Sequence, residues 1–271
     1  MLPVLTFTYM LGIAFSAMLA GALSDAFGRK TLVLYMVAIH IISSLVTWFS
    51  QNFWVFLIGR IFVGGSIHSA WAGLFILLQE TTPQQHLTLT SGMMNAGWST
   101  GSMWLCFLAY FIRDWRELQL VFSLMSLLMI SFFFLLAESP RWLMASGRFD
   151  EAKETLQVIA RKNGHVLDLK DLENTLAQLQ QGISANTKTT LLGELKKMYK
   201  IFLDLVKTPQ MKLRTLLLAP TMFAVAMGYY GIHFSSRFAE LDIFAVNMIK
   251  ESANFTTLMV LMFILKYVSI K

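Results

Sequence analysis

The sequence is short of the residues on which soluble chemistry is built. A single cysteine, Cys106, stands among 271 residues, so neither a disulfide framework nor a cysteine metal site can form within one chain. Only 14% of the residues are charged and five are proline. There is no phosphate-cradling glycine loop, no paired-histidine zinc motif and no nucleophile elbow. Nor do two carboxylates share one face of a soluble helix. No catalytic site is read, no enzyme is expected, and nothing calls for a cofactor or metal.

What is present is apolar. Hydrophobic residues make up 56% of the chain, phenylalanine alone occurs 22 times, and the mean hydropathy is +0.58. This composition belongs to the membrane class, with the bilayer as solvent. The formal charge of +6 does not point to nucleic acid. The Lys and Arg alternate with Asp and Glu in one polar segment, or sit at the ends of apolar runs, where they set orientation in a membrane.

A spanning helix needs about 20 apolar residues. Six runs qualify, at Pro3–Leu23, Thr31–Ser50, Phe53–Leu78, Leu87–Ile112, Leu118–Ala137 and Thr215–Phe234. The first is expected to be a span and not a cleaved leader. A weaker seventh run, Phe255–Ile270, carries Lys266 and covers a whole span or part of one. The expected class is therefore all-α, a polytopic membrane helix bundle. Residues 1–137 hold five spans, 138–214 form an aqueous loop with short amphipathic helices, and 215–271 begin a second set of spans. In the loop, Phe149, Ala152, Leu156 and Ile159 recur at helical spacing, and Leu169, Leu172, Leu176 and Leu179 do so again. Arg29, Lys30 and the many basic residues of the loop lie on one side, against Arg113, Arg116, Arg237 and Lys250 on the other. The richer side is read as cytosolic.

The stretch Gly21-Ala-Leu-Ser-Asp25-Ala-Phe-Gly28-Arg29-Lys30-Thr31 puts charge into this apolar sequence. Asp25 falls at the C-terminal end of one helix and Arg29 and Lys30 at the start of the next, each at the unfavourable end of a helix dipole. For the two bases the positive-inside bias is explanation enough. Asp25 is expected to meet a partner helix or an arginine elsewhere.

Gly21-x-Leu23-x-Asp25-x-x-Gly28-Arg29-Lys30 resembles the turn between the second and third helices of the major facilitator superfamily. Gly59-Arg60 with Gly64 is similar to that superfamily's fourth helix. Glu138-Ser-Pro-Arg141-Trp-Leu143, followed by Gly147-Arg148, resembles the exit from the sixth helix in organic ion and sugar transporters. With Asp114-Trp-Arg116, Ile159-Ala-Arg-Lys-Asn-Gly164 and Tyr229-Tyr230-Gly231, the resemblance narrows to the organic cation, anion and carnitine transporters. It implies a partial major facilitator fold in which the first span here is the family's second helix and the last clear one its seventh. The chain is then either a fragment of a longer transporter or a short, non-transporting product that associates with a full-length relative. The expected partners are a small organic solute, the lipid bilayer and the missing helices, with no nucleic acid; the expected location is the plasma membrane.

By position in that family, Trp71, Asn95, Trp98, Tyr229 and Tyr230 are candidates for a central substrate cavity, where aromatic faces attract desolvated cations. Lipid-facing or packing roles compete for each. Asp25, Arg29, Glu80, Glu138 and Arg141 are candidates for a charge network that closes the inner gate. The resembled family places an arginine shortly after its fourth helix, whereas this chain reads Gln84-Gln85-His86, so Glu80 is expected to lack its usual partner. Arg60 lies within a span, where an ionisable residue is costly and marks function or packing. His40 and His68 are lesser candidates.

Overall fold

The computed structural model describes residues 2–164, 209–235 and 243–267, together with four single helical positions, Gly193, Lys196, Lys200 and Lys207. Among the described residues every regular element is helical. The elements are α1 Leu2–Phe27, α2 Arg29–Phe49, α3 Phe53–Thr81, α4 Leu87–Phe111, α5 Trp115–Ser126, α6 Phe132–Leu135, α7 Pro140–Ala145, α8 Phe149–Lys162, α9 Pro209–Ser235 and α10 Ile243–Tyr267. Four stretches are long and apolar enough to cross a membrane on length and composition alone: Val4–Phe27, Arg29–Phe49, Phe53–Thr81 and Trp115–Leu135. α4, α9 and α10 have spanning length but carry more polar residues, such as Asn95 in α4 and Asn247, Lys250 and Glu251 in α10.

The chain divides into two compact units, one of residues 1–87 and 119–194, the other of 88–118 and 195–271. In the first, α3 is the central helix, packed along both α1 and α2. Glycine makes the approach close. A Cβ on Gly12 of α1 would strike the Ile61 carbonyl of α3, and one on Gly64 would strike the Tyr9 carbonyl. Val33, Val37 and Ala70 form the buried centre between α2 and α3, with Met129, Phe132 and Leu136 packed against it.

Polarity is inverted relative to a water-soluble protein. Ser24, Ser43, Ser44, Thr47, Ser69 and Ser123 are buried, while Phe7, Tyr35, Ile42, Phe49 and Phe134 are exposed. Lipid tails give no hydrophobic reason to hide a leucine, so small polar residues take the helix contacts. The seam between α2 and α5 shows this: the Ser44 and Ser123 hydroxyls lie 2.7 Å apart, and Gln119 Nε2 donates to Ser44 Oγ at 3.2 Å.

The span read as one helix over Leu118–Ala137 loosens midway into a 3-10 turn, Leu127–Ser131. The Ser126 and Ser131 hydroxyls donate to carbonyls three residues back, Ser123 O at 2.7 Å and Leu128 O at 2.8 Å, which competes with the regular ladder there. Elsewhere the ends follow local chemistry. Asn52 caps α3 by accepting from Trp54 N at 3.0 Å. The amphipathic helix expected from Phe149 is α8, with Ala152 fully buried against Trp142 and Leu143. The second such helix, through Leu169–Leu179, lies outside the described residues.

In the second unit α10 begins at Ile243, twelve residues before the run read from the sequence. Lys250, taken for an outer-loop charge, is inside it. α4 and α10 pack antiparallel: Tyr110 meets Phe244 edge-on at 6.3 Å, Asn254 Nδ2 donates to Ser99 Oγ at 2.9 Å, and Met262 crowds Gly92. Pro220 sits inside α9, which a span tolerates.

A Gly64→Leu substitution is expected to force α1 from α3 and lower stability by about 1–3 kcal/mol, as overpacking does. Gly97→Ala, where an added Cβ meets open space, is the control, expected to change stability by less than about 0.5 kcal/mol. Thermal unfolding of the detergent-solubilised protein measures both.

Candidate functional site

The charged turn is the best-defined polar site in the first unit. α1 ends at Phe27 and α2 starts at Arg29, with Gly28 between them at φ 102° and ψ 156°. This backbone region favours glycine, and space demands it too: a Cβ there would strike the Glu138 carboxylate and approach the Trp142 ring. Gly28 has no side chain with which to cap α2. The capping group arrives from far along the chain. Glu138 Oε1 accepts from Arg29 N at 2.9 Å, Lys30 N at 3.0 Å and Ser139 N at 3.0 Å. A carboxylate thus sits on the positive end of the α2 dipole and answers the mismatch that the basic residues there create.

The Arg29 side chain turns back across the end of α1. Its Nε and Nη2 hold Glu80 of α3 in a two-pronged pair, both bonds 3.1 Å. Nη1 donates to the Ser24 carbonyl at 3.1 Å, and Nη2 lies 2.9 Å from Asp25 Oδ1. Trp142 Nε1 donates to the Asp25 carbonyl at 2.9 Å, so two of the last carbonyls of α1 are satisfied by side chains. The guanidinium is 12% exposed and Glu80 16%, whereas Asp25 is 52% exposed. The Arg29–Glu80 pair is therefore the buried half of the cluster and Asp25 its wet edge.

Glu80, expected to lack the arginine usual after its own helix, pairs instead with Arg29 from the start of α2, since α3 ends beside the α1–α2 turn. The arginine that Asp25 meets is Arg29, four residues on, across the break between two helices. Arg141 is exposed on α7 and makes no ion pair among the described residues.

The other candidates lie elsewhere. Arg60 precedes Glu80 by twenty residues on α3, about 30 Å along the helix at 1.5 Å per residue. Its guanidinium stands over the Tyr9 ring at 5.3 Å, and its Nε is buried with no hydrogen-bond acceptor among the described residues. Farther along α3, Trp71 stacks on Phe75 at 5.5 Å with its ring 6.3 Å from His68. The Trp71 indole N–H and His68 Nδ1 are likewise buried without partners among the described residues. His40 Nδ1 is 3.4 Å from Ser66 Oγ. In the second unit, Asn95 donates to the Ser91 carbonyl of its own helix at 2.9 Å, and Trp98 is exposed. Tyr229 and Tyr230 lie on α9, and their side chains are outside the described residues.

Glu251 was missed in the sequence. It is 8% exposed on α10, and its Oε2 is buried with no partner among the described residues. The only signal was an acid eight residues into a spanning-length helix whose polar start reads as a loop. Open apolar grooves among the described residues are lined by other side chains. Two lie along α2 and α3, about 570 Å³ around Val46 and Phe49 and about 340 Å³ around Ile58 and Phe62; one of about 550 Å³ lies around Trp104 and Met248 in the second unit.

Apolar helices held around buried hydroxyls, with a charge cluster at their ends, make a membrane helix bundle, and comparison with known proteins gives its family. A sugar (and other) transporter family model matches residues 2–268, so the chain belongs to that family. Solute carrier family 22 member 6 of Pseudopleuronectes americanus is 32% identical over 245 residues, covering 89% of this chain and 42% of that protein. The β-alanine transporter of Drosophila melanogaster is also 32% identical, covering 79% of this chain and 35% of the relative. Human organic cation/carnitine transporter 2 is 27% identical, covering 89% and 42%. The chain thus spans about two-fifths of the length of these relatives. The major facilitator superfamily proton:xylose symporter XylE, solved with 6-bromo-6-deoxy-D-glucose, has the same fold, with TM-score 0.71 at 16% identity over 96% of this chain and 58% of that one. This is a multi-pass membrane protein whose relatives are transporters and not enzymes.

Arg29→Gln leaves the partly buried Glu80 carboxylate unpaired and is expected to cost roughly 2–3 kcal/mol, below the 3–5 of a fully buried pair. Trp142→Phe keeps the ring, deletes one donor, and is expected to cost about 1 kcal/mol. Chemical unfolding in detergent ranks the two; equal losses would show that the guanidinium does not anchor the cluster.

Proposed function

We propose that this chain belongs to a plasma-membrane secondary transporter or facilitator of small organic ions that works by alternating access. The observation that carries the reading is the Arg29 cluster, in which one guanidinium joins the ends of α1, α2 and α3 while Glu138 ties in the segment leading to α7. Charge pairs at helix ends can form in one state of a carrier and part in another; the exposed Asp25 contact costs little to exchange with water at the rim, while the shielded Arg29–Glu80 pair holds the helix ends together. Asp25, Arg29, Glu80 and Glu138 are assigned to the cytosolic gate, with Arg141 at its exposed border, and Arg60 to the opposite end of α3. Trp71, Asn95, Trp98, Tyr229 and Tyr230 are assigned to the solute path. Organic ions are favoured over sugars because the relatives at 32% identity are a solute carrier family 22 member and a β-alanine transporter, whereas the xylose symporter shares the fold at 16%.

The test is uptake of a labelled organic cation, an organic anion, carnitine and xylose, by cells expressing this chain alone and by cells expressing it within the full-length form. Uptake of an ion by the full-length form is expected. Asp25→Asn is expected to reduce it about fivefold at equal surface expression, the equivalent of about 1 kcal/mol at an exposed pair. Transport of xylose alone would move the assignment to the sugar porters. Failure of the full-length form to take up any of the ions at normal surface expression would overturn the reading.

A further inference from the structure

The seam between α4 and α10 holds an acid that the transport reading leaves unused. Glu251 is 8% exposed, and its Oε2 is buried with no hydrogen-bond partner among the described residues. It is the single acidic residue of α10, and α4 has none. The bases of these helices do not answer it. Arg113, two turns away past Phe244, lies over the Tyr110 and Phe244 rings at 5.1 and 4.7 Å. Lys250, the preceding residue, has contacts of its own and does not bond that oxygen.

Neutral oxygens gather along the same seam. Asn254, one turn on from Glu251, gives its Nδ2 to Ser99 Oγ at 2.9 Å, which leaves Asn254 Oδ1 as an acceptor. Ser99 is fully buried, and Ser102 and Cys106 follow it at three and four residues on one side of α4. The antiparallel register that pairs Asn254 with Ser99 sets Glu251 beside Ser102, and Cys106 lies within electrostatic reach of the carboxylate. The acid therefore faces hydroxyls, an amide oxygen and a thiol. Asn254 is exposed, so the seam is open beside it.

A carboxylate shut between two helices with one oxygen unpaired is costly, and inside a membrane such a group marks an ion site. We propose that α4 and α10 bind a small monovalent cation of sodium's size between Glu251 Oε2, Asn254 Oδ1 and the Ser102 hydroxyl, and that the ion ties the two helices together. One carboxylate among neutral oxygens matches one positive charge. A divalent ion would leave charge uncompensated, and no group of three titratable ligands occurs among the described residues. An organic ammonium group needs more room: the open groove around Trp104 and Met248 passes one turn away, and Glu251 does not line it. The site stands apart from the transport reading, because ion binding is measured without uptake.

The test uses the full chain in nanodiscs, with sodium chloride exchanged for choline chloride at constant ionic strength. Saturable binding of radioactive sodium is expected. Thermal unfolding is expected about 4 °C higher in sodium than in choline, the shift for an ion at about thirty times its Kd. Glu251→Gln keeps the shape and removes the charge; it is expected to weaken sodium binding about tenfold and to abolish the thermal shift. Glu117→Gln, at an exposed acid in the first turn of α5, is the control and leaves both unchanged. The comparison of the two salts needs no variant, so it decides the matter even where Glu251→Gln fails to insert. Equal unfolding in sodium and choline, displacement of sodium by choline, or sodium binding untouched by Glu251→Gln would each overturn the proposal.

Discussion

The carboxylate of Glu138 at the start of α2 is the contact on which the charged end of the first unit depends. Three backbone N–H groups converge on one of its oxygens, two from α2 and one from its own segment. Without it, α2 would begin with a glycine that caps nothing and two cations at the positive end of its dipole. With it, Arg29 is free to turn its side chain to Glu80, Asp25 and the carbonyls of α1. A single acid thereby lets a base occupy an electrostatically poor position, and the base then gathers three helix ends.

The cluster is graded in its exposure. Arg29 and Glu80 are largely shielded, and Asp25 is half open to water. Shielded pairs cost most to break by substitution, and exposed ones exchange with water readily. The arrangement has a stiff inner part and a labile rim, so the rim can exchange with water while the inner pair stays closed. Trp142 links the rim to α7, and α8 rests on Trp142 and Leu143 through Ala152.

Much of the fold was legible from apolar runs, because a bilayer demands length and a helix satisfies its own backbone. The charged turn, the amphipathic stretch from Phe149 and the Ser139-Pro140 helix start were legible too, each carried by local chemistry. What the sequence hid was of two kinds. Partnership across distance was one: Arg29, Glu80 and Glu138 were grouped in one charge network, but nothing near Gly28 announces that the cap of α2 is Glu138, more than a hundred residues on. Burial of charge was the other. Lys250 and Glu251 read as loop residues because hydropathy prices every acid as exposed, while the structure places Glu251 inside α10 at 8% exposure. The candidate cavity residues came from resemblance, and local contacts do not single them out. Trp71 has a ring stack and a buried indole N–H, Asn95 bonds its own helix, and Trp98 is open.

Gly28 is the only non-helical residue between two helices of spanning length. Any change in the angle between α1 and α2 must therefore be taken up by one pair of backbone torsions, because the residues on both sides are locked in hydrogen-bond ladders. Most connectors spread such a change over several residues and blur it. Here the two helices behave as levers on a shared pivot, and a small rotation at their joined ends becomes a displacement of several ångströms at the far end of a helix about 39 Å long at 1.5 Å for each of the 26 residues of α1.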